Sequence, residues 1–342
     1  MLQRRICILT DGYLDLFSAK TAVGLLRYCP DEVVAVLDQA HAGEKLETLV
    51  GVGAGVPIVN SVASALCYRP DHLVLGAVFP GGRLPEAWRT FIVEALAAGM
   101  DVVSGLHTRL GDDCELARQA AEGGRRLWDV RAGEAATTVG TGKARQTRAK
   151  RILTVGTDCN LGKRLTAIEL AGELARRGLR VAFVPTGQTG VMIKGSGVVI
   201  DAVVADFVSG TAEEAVLEHG DEDYVVVEGQ GALLHPSYSA VALGLLHGVL
   251  PDALILCHAP TRRHMRNTDI AMPSLDENVR LHEALLRPIH PARVVGIALN
   301  GYGMGERELH EVLSQARVRT GLTVADPVRT GVADLADAVI AG

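Results

Sequence analysis

Short apolar runs alternate with longer segments of helical periodicity along the whole chain. In the first half the apolar runs at residues 6–10, 33–38, 57–60, 73–79, 101–104 and 127–130 predict strands. Between them, the patterns at 19–28, 43–50, 85–98 and 112–122 predict helices, with Pro85 suited to a first helical turn. The second half repeats the alternation. Strands are predicted at 152–155, 180–185, 224–228, 252–258, 294–299 and near 323–325. Helices are predicted at 163–177, 237–247, 275–286, 306–317 and from 334 onward. Strand–helix alternation of this kind implies parallel sheets covered by helices, an α/β fold. Residues 133–150 break the pattern: Gly133, Gly140 and Gly142 sit among small polar residues, and Lys143, Arg145, Arg148, Lys150 and Arg151 follow. This stretch reads as a linker, which gives a first domain at 1–132, a connector at 133–150 and a second domain at 151–342.

Composition narrows the class. A length of 342 residues suits two domains, and 48% hydrophobic residues with 4% aromatics mean cores of Val, Leu, Ala and Ile. A net charge of −6 argues against a nucleic-acid partner. The polar start Met1-Leu2-Gln3-Arg4-Arg5 is too short for a secretory signal. The longest apolar stretch, 241–257, is broken by His247, Gly248, Pro251 and Asp252, so no membrane partner is expected. Cys7, Cys29, Cys67, Cys114, Cys159 and Cys257 form no Cys-x-x-Cys pair, which suggests a reducing cytoplasm and no metal site. A cytoplasmic homo-oligomer acting on a small molecule is the expectation.

Candidate chemistry concentrates in the second half. The stretch Gly156-Thr157-Asp158-Cys159-Asn160-Leu161-Gly162-Lys163 joins a predicted strand to a predicted helix. That layout is a phosphate-binding loop: backbone N–H groups, a helix N-terminus and a lysine all favour phosphate oxygens. Its glycines are one residue further apart than usual, and Arg164 stands where a Ser or Thr would hold magnesium. Phosphate binding is therefore expected more than phosphate chemistry. After the 180–185 strand comes Thr186-Gly187-Gln188-Thr189-Gly190-Val191-Met192-Ile193-Lys194-Gly195-Ser196-Gly197, a glycine-rich loop at the strand edge where ligands bind. The strand ending in Glu228, with Gly229, Gly231 and His235 behind it, offers two candidate bases. Arg262 and Arg263 follow the next strand and suit carboxylate or phosphate recognition. In the first half, Arg83 and His107 stand in loops after strands. Asp38 sits where a dinucleotide fold keeps its ribose-binding acid, but Asp11-Gly12-Tyr13-Leu14-Asp15 lacks the glycine fingerprint, so a scaffold without dinucleotide is expected.

The phosphate loop together with Val226-Val227-Glu228-Gly229-Gln230-Gly231 resembles the dethiobiotin-synthetase-like branch of P-loop proteins. More of the chain resembles a family catalogued as domain of unknown function 1611. The matching stretches are Lys20 to Tyr28, Pro80-Gly81-Gly82-Arg83-Leu84-Pro85, Ser104-Gly105-Leu106-His107, Pro185 to Gly190, and Gly229 to Pro236. They span nearly the whole sequence. The resemblance implies a Rossmann-like N-terminal domain, a P-loop NTPase-like C-terminal domain and, for some members, acetyl transfer from acetyl-CoA to D-glutamate. On that reading residues 156–164 grip the coenzyme and Glu228 or His235 is the base. Gln188, Thr189, Lys194, Arg262, Arg263, Lys20, Arg83 and His107 are the candidates for substrate binding. The competing readings are an ATP ligase or kinase, with magnesium held by Glu228 and Asp158, and a non-catalytic nucleotide-binding protein.

Overall fold

The computed structural model of the chain describes residues 4–77, 79, 82–133 and 137–342. Val78, Pro80 and Gly81, and residues 134–136 of the expected connector, lie outside the described residues. The chain divides into two compact units, Met1–Glu134 with Val191–Gly195, and Ala135–Gly190 with Ser196–Gly342.

In the first unit the elements are β1 (Ile6–Leu9), α1 (Lys20–Tyr28), β2 (Val33–Leu37), α2 (Leu46–Val50), β3 (Ile58–Val59), α3 (Val62–Ala65), β4 (His72–Leu75), α4 (Glu86–Ala97), β5 (Asp101–Ser104), α5 (Cys114–Glu122) and β6 (Leu127–Asp129). The strands pair in the order β3-β2-β1-β4-β5-β6, all parallel, which is the Rossmann-like arrangement. β4 ends at Leu75, earlier than expected, and Gly76 follows with its N–H donating to Leu9 O at 2.8 Å. A Cβ on that glycine would lie 2.3 Å from Ile8 Cγ2 and 3.1 Å from Ala22 Cβ, so only glycine lets α1 approach here. Asp38 is fully buried and bound within its own unit, accepting from the Thr10 hydroxyl at 3.3 Å and contacting His41 Nδ1 at 2.8 Å.

The chain from residue 135 onward holds β7 (Lys150–Gly156), α6 (Lys163–Arg176), β8 (Val181–Val184), α7 (Gln188–Lys194), α8 (Val208–Leu217), β9 (Tyr224–Val227), α9 (Ser239–Val249), β10 (Ala253–His258), α10 (Leu275–Leu286), β11 (Arg293–Leu299), α11 (Glu306–Thr320), β12 (Thr323–Ala325) and α12 (Ala333–Ala341); all belong to the second unit except residues 191–194 of α7, which cluster with the first. The parallel sheet of the second unit runs β12-β11-β10-β7-β9-β8. Both faces are covered. Leu153, Val225, Val227, Leu254 and Leu256 face the α8–α11 side, while Ile152, Val226 and Ile255 face α6 and α12. Burying each such side chain contributes roughly 1.5–3 kcal/mol.

Within residues 137–149 the basic side chains of Lys143, Arg145 and Arg148 are exposed, while parts of the backbone are tied into the second unit. Thr141 donates its N–H and hydroxyl to Glu213 Oε2, and Ala144 N–H donates to Glu213 Oε1. Burial pushes the Glu213 carboxyl up, yet these donors outweigh it and hold the group below its ordinary range. Arg151, the last of the basic run, is buried in β7 and pairs with Asp252 at 2.7 Å. These basic and polar residues are parts of the second unit.

Candidate functional site

β7 occupies the middle of the second sheet, between β10 and β9. Because every strand is parallel, the loops after β10, β7, β9 and β8 meet at one carboxyl edge. The β7 loop, residues 157–162, is shaped by two left-handed residues, Asn160 with φ 55° and Gly162 with φ 104°. It then enters α6 at Lys163. Thr157 N–H donates to Cys257 O at 3.1 Å, and its hydroxyl lies 2.9 Å from His258 Nδ1. Burial and the Arg262 charge push His258 down to about 4, so a neutral ring holds this hydroxyl.

Asp158 anchors the loop from inside. One oxygen accepts from Cys159 N–H at 2.6 Å; the other accepts from Arg262 Nη1 at 2.7 Å and Arg266 N–H at 2.8 Å. Arg262 also donates to Cys159 O. Burial raises the Asp158 carboxyl, but these donors leave it lowered overall. Arg262 is thereby a brace of the phosphate loop. Arg263 stands exposed beside it.

Lys163 is 6% exposed, and its ammonium donates to Asp158 O at 2.8 Å. Among the described residues no carboxylate lies within ion-pair distance of it. Burial pushes its pKa down. A buried ammonium without a counter-anion is costly, and an anionic ligand in the loop removes that cost. Gly229 packs against this lysine: a Cβ there would lie 3.3 Å from Lys163 Cδ and 1.6 Å from Thr154 O, so the turn after β9 tolerates only glycine.

Glu228 stands at that turn, 3% exposed. Its Oε2 accepts from the N–H groups of Thr186 at 3.2 Å and Gly187 at 3.3 Å, and its Oε1 accepts from Gln230 Nε2 at 3.2 Å. Burial raises the carboxyl to about 6; the charge of Arg164 and the donors from Thr186, Gly187 and Gln230 limit the rise. The stretch expected as a glycine-rich loop is helical from Gln188, and two of its glycines make room for this carboxylate. A Cβ on Gly190 would lie 2.2 Å from Glu228 Oε2, and one on Gly187 2.4 Å from Gln230 Nε2. Gly190→Ala is therefore expected to displace the carboxylate and destabilise the fold by about 1–3 kcal/mol, measured by thermal melting. An unchanged melt with unchanged turnover would show that Glu228 has room to spare.

His235 is 1% exposed and stacks near Tyr238 with ring centroids 4.6 Å apart. Its Nε2 lies 3.0 Å from Arg266 O, and Ser237 N–H donates to its Nδ1 at 3.1 Å. A carbonyl only accepts, so Nε2 carries the proton and Nδ1 is already an acceptor. The ring has no lone pair left to act as a base. Asp158, Cys159 and His235 offer ligand atoms within 4.8 Å of one another, but Asp158 and His235 are engaged as described. Burial and Asp158 raise the Cys159 thiol above its ordinary range.

The structure thus brings together residues 156–164, Glu228, His235 and Arg262. Thr189 is buried and Gln188 half-buried at the start of α7. Lys194 ends that helix, exposed, in the segment that belongs to the first unit. Lys20 begins α1, and Arg83 and His107 are exposed loop residues of the first unit. The sequence names Thr186, Gly190 and Gln230 only as members of motifs, and neither they nor His258 carry an individual role there. The spacing Thr186-Gly187-x-x-Gly190 carries the signal, because one glycine in the bend before α7 and one in its first turn leave space for a neighbouring side chain.

Residues 138–336 match the family model described as domain of unknown function DUF1611_C, a P-loop domain, and residues 39–133 match DUF1611_N, a Rossmann-like domain. The chain belongs to the DUF1611 family. A crystal structure of a DUF1611 family protein from Anabaena variabilis superposes with a TM-score of 0.94 at 39% identity, covering 99% of this chain and 100% of that one. A protein named D-glutamate N-acetyltransferase from Tritonibacter scottomollicae is 40% identical over 96% of both chains. A second protein of that name, from a Pseudoalteromonas species, is 39% identical over 80% of this chain and 82% of its own.

Proposed function

We propose that this DUF1611 protein is an amino-acid N-acetyltransferase that moves acetyl from acetyl-CoA to the amino group of D-glutamate. The full-length likeness to proteins of that name supports the reaction class. The observation that carries the reading at the site is that one carboxyl edge holds both Lys163, a buried cation with no carboxylate within ion-pair distance among the described residues, and Glu228, a buried carboxylate at the end of the adjoining strand.

Coenzyme A supplies an activated acetyl group on a carrier that bears a pyrophosphate. Lys163, Arg164 and the N–H groups of the loop suit that pyrophosphate without cutting it. Glu228, raised to about 6, is ionised at neutral pH and basic enough to take a proton from the substrate amine. The N–C bond forms as the C–S bond breaks, and the coenzyme departs as a thiolate that then takes up a proton. Arg263, exposed on the loop that braces the phosphate site, is suited to a carboxylate of an acidic substrate. Release of coenzyme A thiol from acetyl-CoA, measured across D- and L-amino acids, tests the reading. Release that depends on D-glutamate is expected. ADP formation from ATP with no thiol release on any amino acid would replace this reading with a ligase or kinase.

A further inference from the structure

In phosphate loops that hydrolyse nucleotides, a magnesium ion sits between the hydroxyl that follows the lysine and an acid at the end of a neighbouring strand. Both positions exist here with altered chemistry. The residue after Lys163 is Arg164, half-buried on the first turn of α6, and the acid on the strand beside β7 is Glu228. Arg164 supplies no oxygen ligand. Magnesium demands near-octahedral oxygen coordination, and a hydroxyl is what it loses. The nearby oxygens that could compensate are engaged. The Thr157 hydroxyl meets His258, the Thr166 hydroxyl meets Cys257 Sγ at 3.6 Å, and both Asp158 oxygens accept from the Arg262 and Cys159 region. Glu228 Oε2 already meets two backbone donors, while Oε1 accepts only from Gln230 and keeps one lone pair, which is enough for a guanidinium N–H or a proton but supplies magnesium with a single ligand. A divalent ion between these positions would also face two fixed cations, Lys163 and Arg164, on consecutive residues.

We propose that the Arg164 guanidinium takes the place of the magnesium ion, bridging the Glu228 carboxylate and the ligand's pyrophosphate. The loop then binds its ligand independently of divalent cations, and Arg164 is the residue that sets this preference. Guanidinium suits the role because it is planar, permanently charged and able to donate to a carboxylate and a phosphate at once. The acid keeps its strand-end position but turns from a metal ligand into the partner of an arginine. That leaves it available as a base, as the acetyl-transfer reading requires, and the inference rests on that reading for the identity of the ligand.

The test is calorimetry on the full chain, with coenzyme A and inorganic pyrophosphate as separate probes, each in EDTA and in millimolar magnesium. Wild-type affinity for both probes is expected to be the same in the two buffers. Arg164→Thr, which restores the magnesium-binding hydroxyl, is expected to bind roughly tenfold or more weakly in EDTA and to recover with magnesium. Arg164→Lys is expected to stay indifferent to EDTA. Wild-type binding that collapses in EDTA overturns the proposal without any variant, as does an Arg164→Thr protein that binds equally well in EDTA. Pyrophosphate bound in EDTA without binding of coenzyme A would leave the arginine assignment standing and remove the acyl carrier. Failure of both probes to bind in EDTA would remove the arginine assignment itself. The acid limb of the pH–activity profile gives a second readout. Losing the cation beside Glu228 should move that limb to higher pH in Arg164→Thr, and a limb that stays in place would contradict the pairing.

Discussion

Glu228→Gln is expected to lower turnover by about 10²–10⁴-fold, with coenzyme A affinity little changed. The substitution keeps the shape of the side chain. The amide oxygen can still accept from Thr186 and Gly187 N–H, and the Gln230 amide can turn its oxygen toward the new NH₂. What is lost is the ability to take a proton. The pH profile gives the same group a second signature. A carboxyl raised to about 6 is an active base only when ionised, so the wild-type rate should fall as pH drops through about 6. The sign follows from the role: protonation removes the base, so activity is present above this value and lost below it. In Glu228→Gln that acid limb should vanish from the residual activity. If the variant changes only the Michaelis constant and retains the limb, Glu228 binds substrate and some other group titrates.

Lys163→Ala should weaken coenzyme A binding by about an order of magnitude or more. It also makes a distinctive prediction for stability. The wild-type ammonium is buried with a carbonyl as its acceptor, so its removal takes away an uncompensated charge. The unliganded variant should melt no lower than the wild type, while the upward shift that coenzyme A gives the wild type should be largely lost. Unchanged affinity by calorimetry would sink the assignment of the loop to phosphate.

The fold was largely legible because buried parallel strands leave continuous apolar runs. Val225-Val226-Val227 and Ile152 to Val155 sit in the middle of the second sheet, where the pattern is strongest. α8 was not legible. Its sequence opens Val208-Ser209-Gly210-Thr211, which reads as loop, and it buries Glu213. Gly210 is there because the chain at 138–139 passes over it, a Cβ lying 1.9 Å from Thr138 O, and it is glycines of α9 that let the two helices close: a Cβ on Gly248 would lie 2.2 Å from Ser209 O, and one on Gly244 2.3 Å from Val208 Cγ1. Tertiary packing overrides propensity at this interface. Gly190 misleads in the same way, announcing a loop where it makes room for a carboxylate, whereas Gly187 does lie in the bend before α7.

The site was legible in its backbone and less so in its side chains. Residues 156–163 and Glu228 declare themselves by following apolar runs. The roles of His235 and Arg262 depend on partners far along the chain. Arg266 O is 31 residues from His235, and Asp158 is 104 residues from Arg262. Sequence alone leaves His235 open as a base and Arg262 as a substrate ligand. The folded chain ties the first to a carbonyl and a backbone N–H, and the second to the phosphate loop.

The most direct measurement is the mass of the product formed when the protein is incubated with D-glutamate and acetyl-CoA carrying an isotopically labelled acetyl group. The expected product is N-acetyl-D-glutamate bearing the full label, formed in step with free coenzyme A. Unmodified D-glutamate alongside intact acetyl-CoA, at enzyme concentrations where the protein binds the coenzyme, would contradict it.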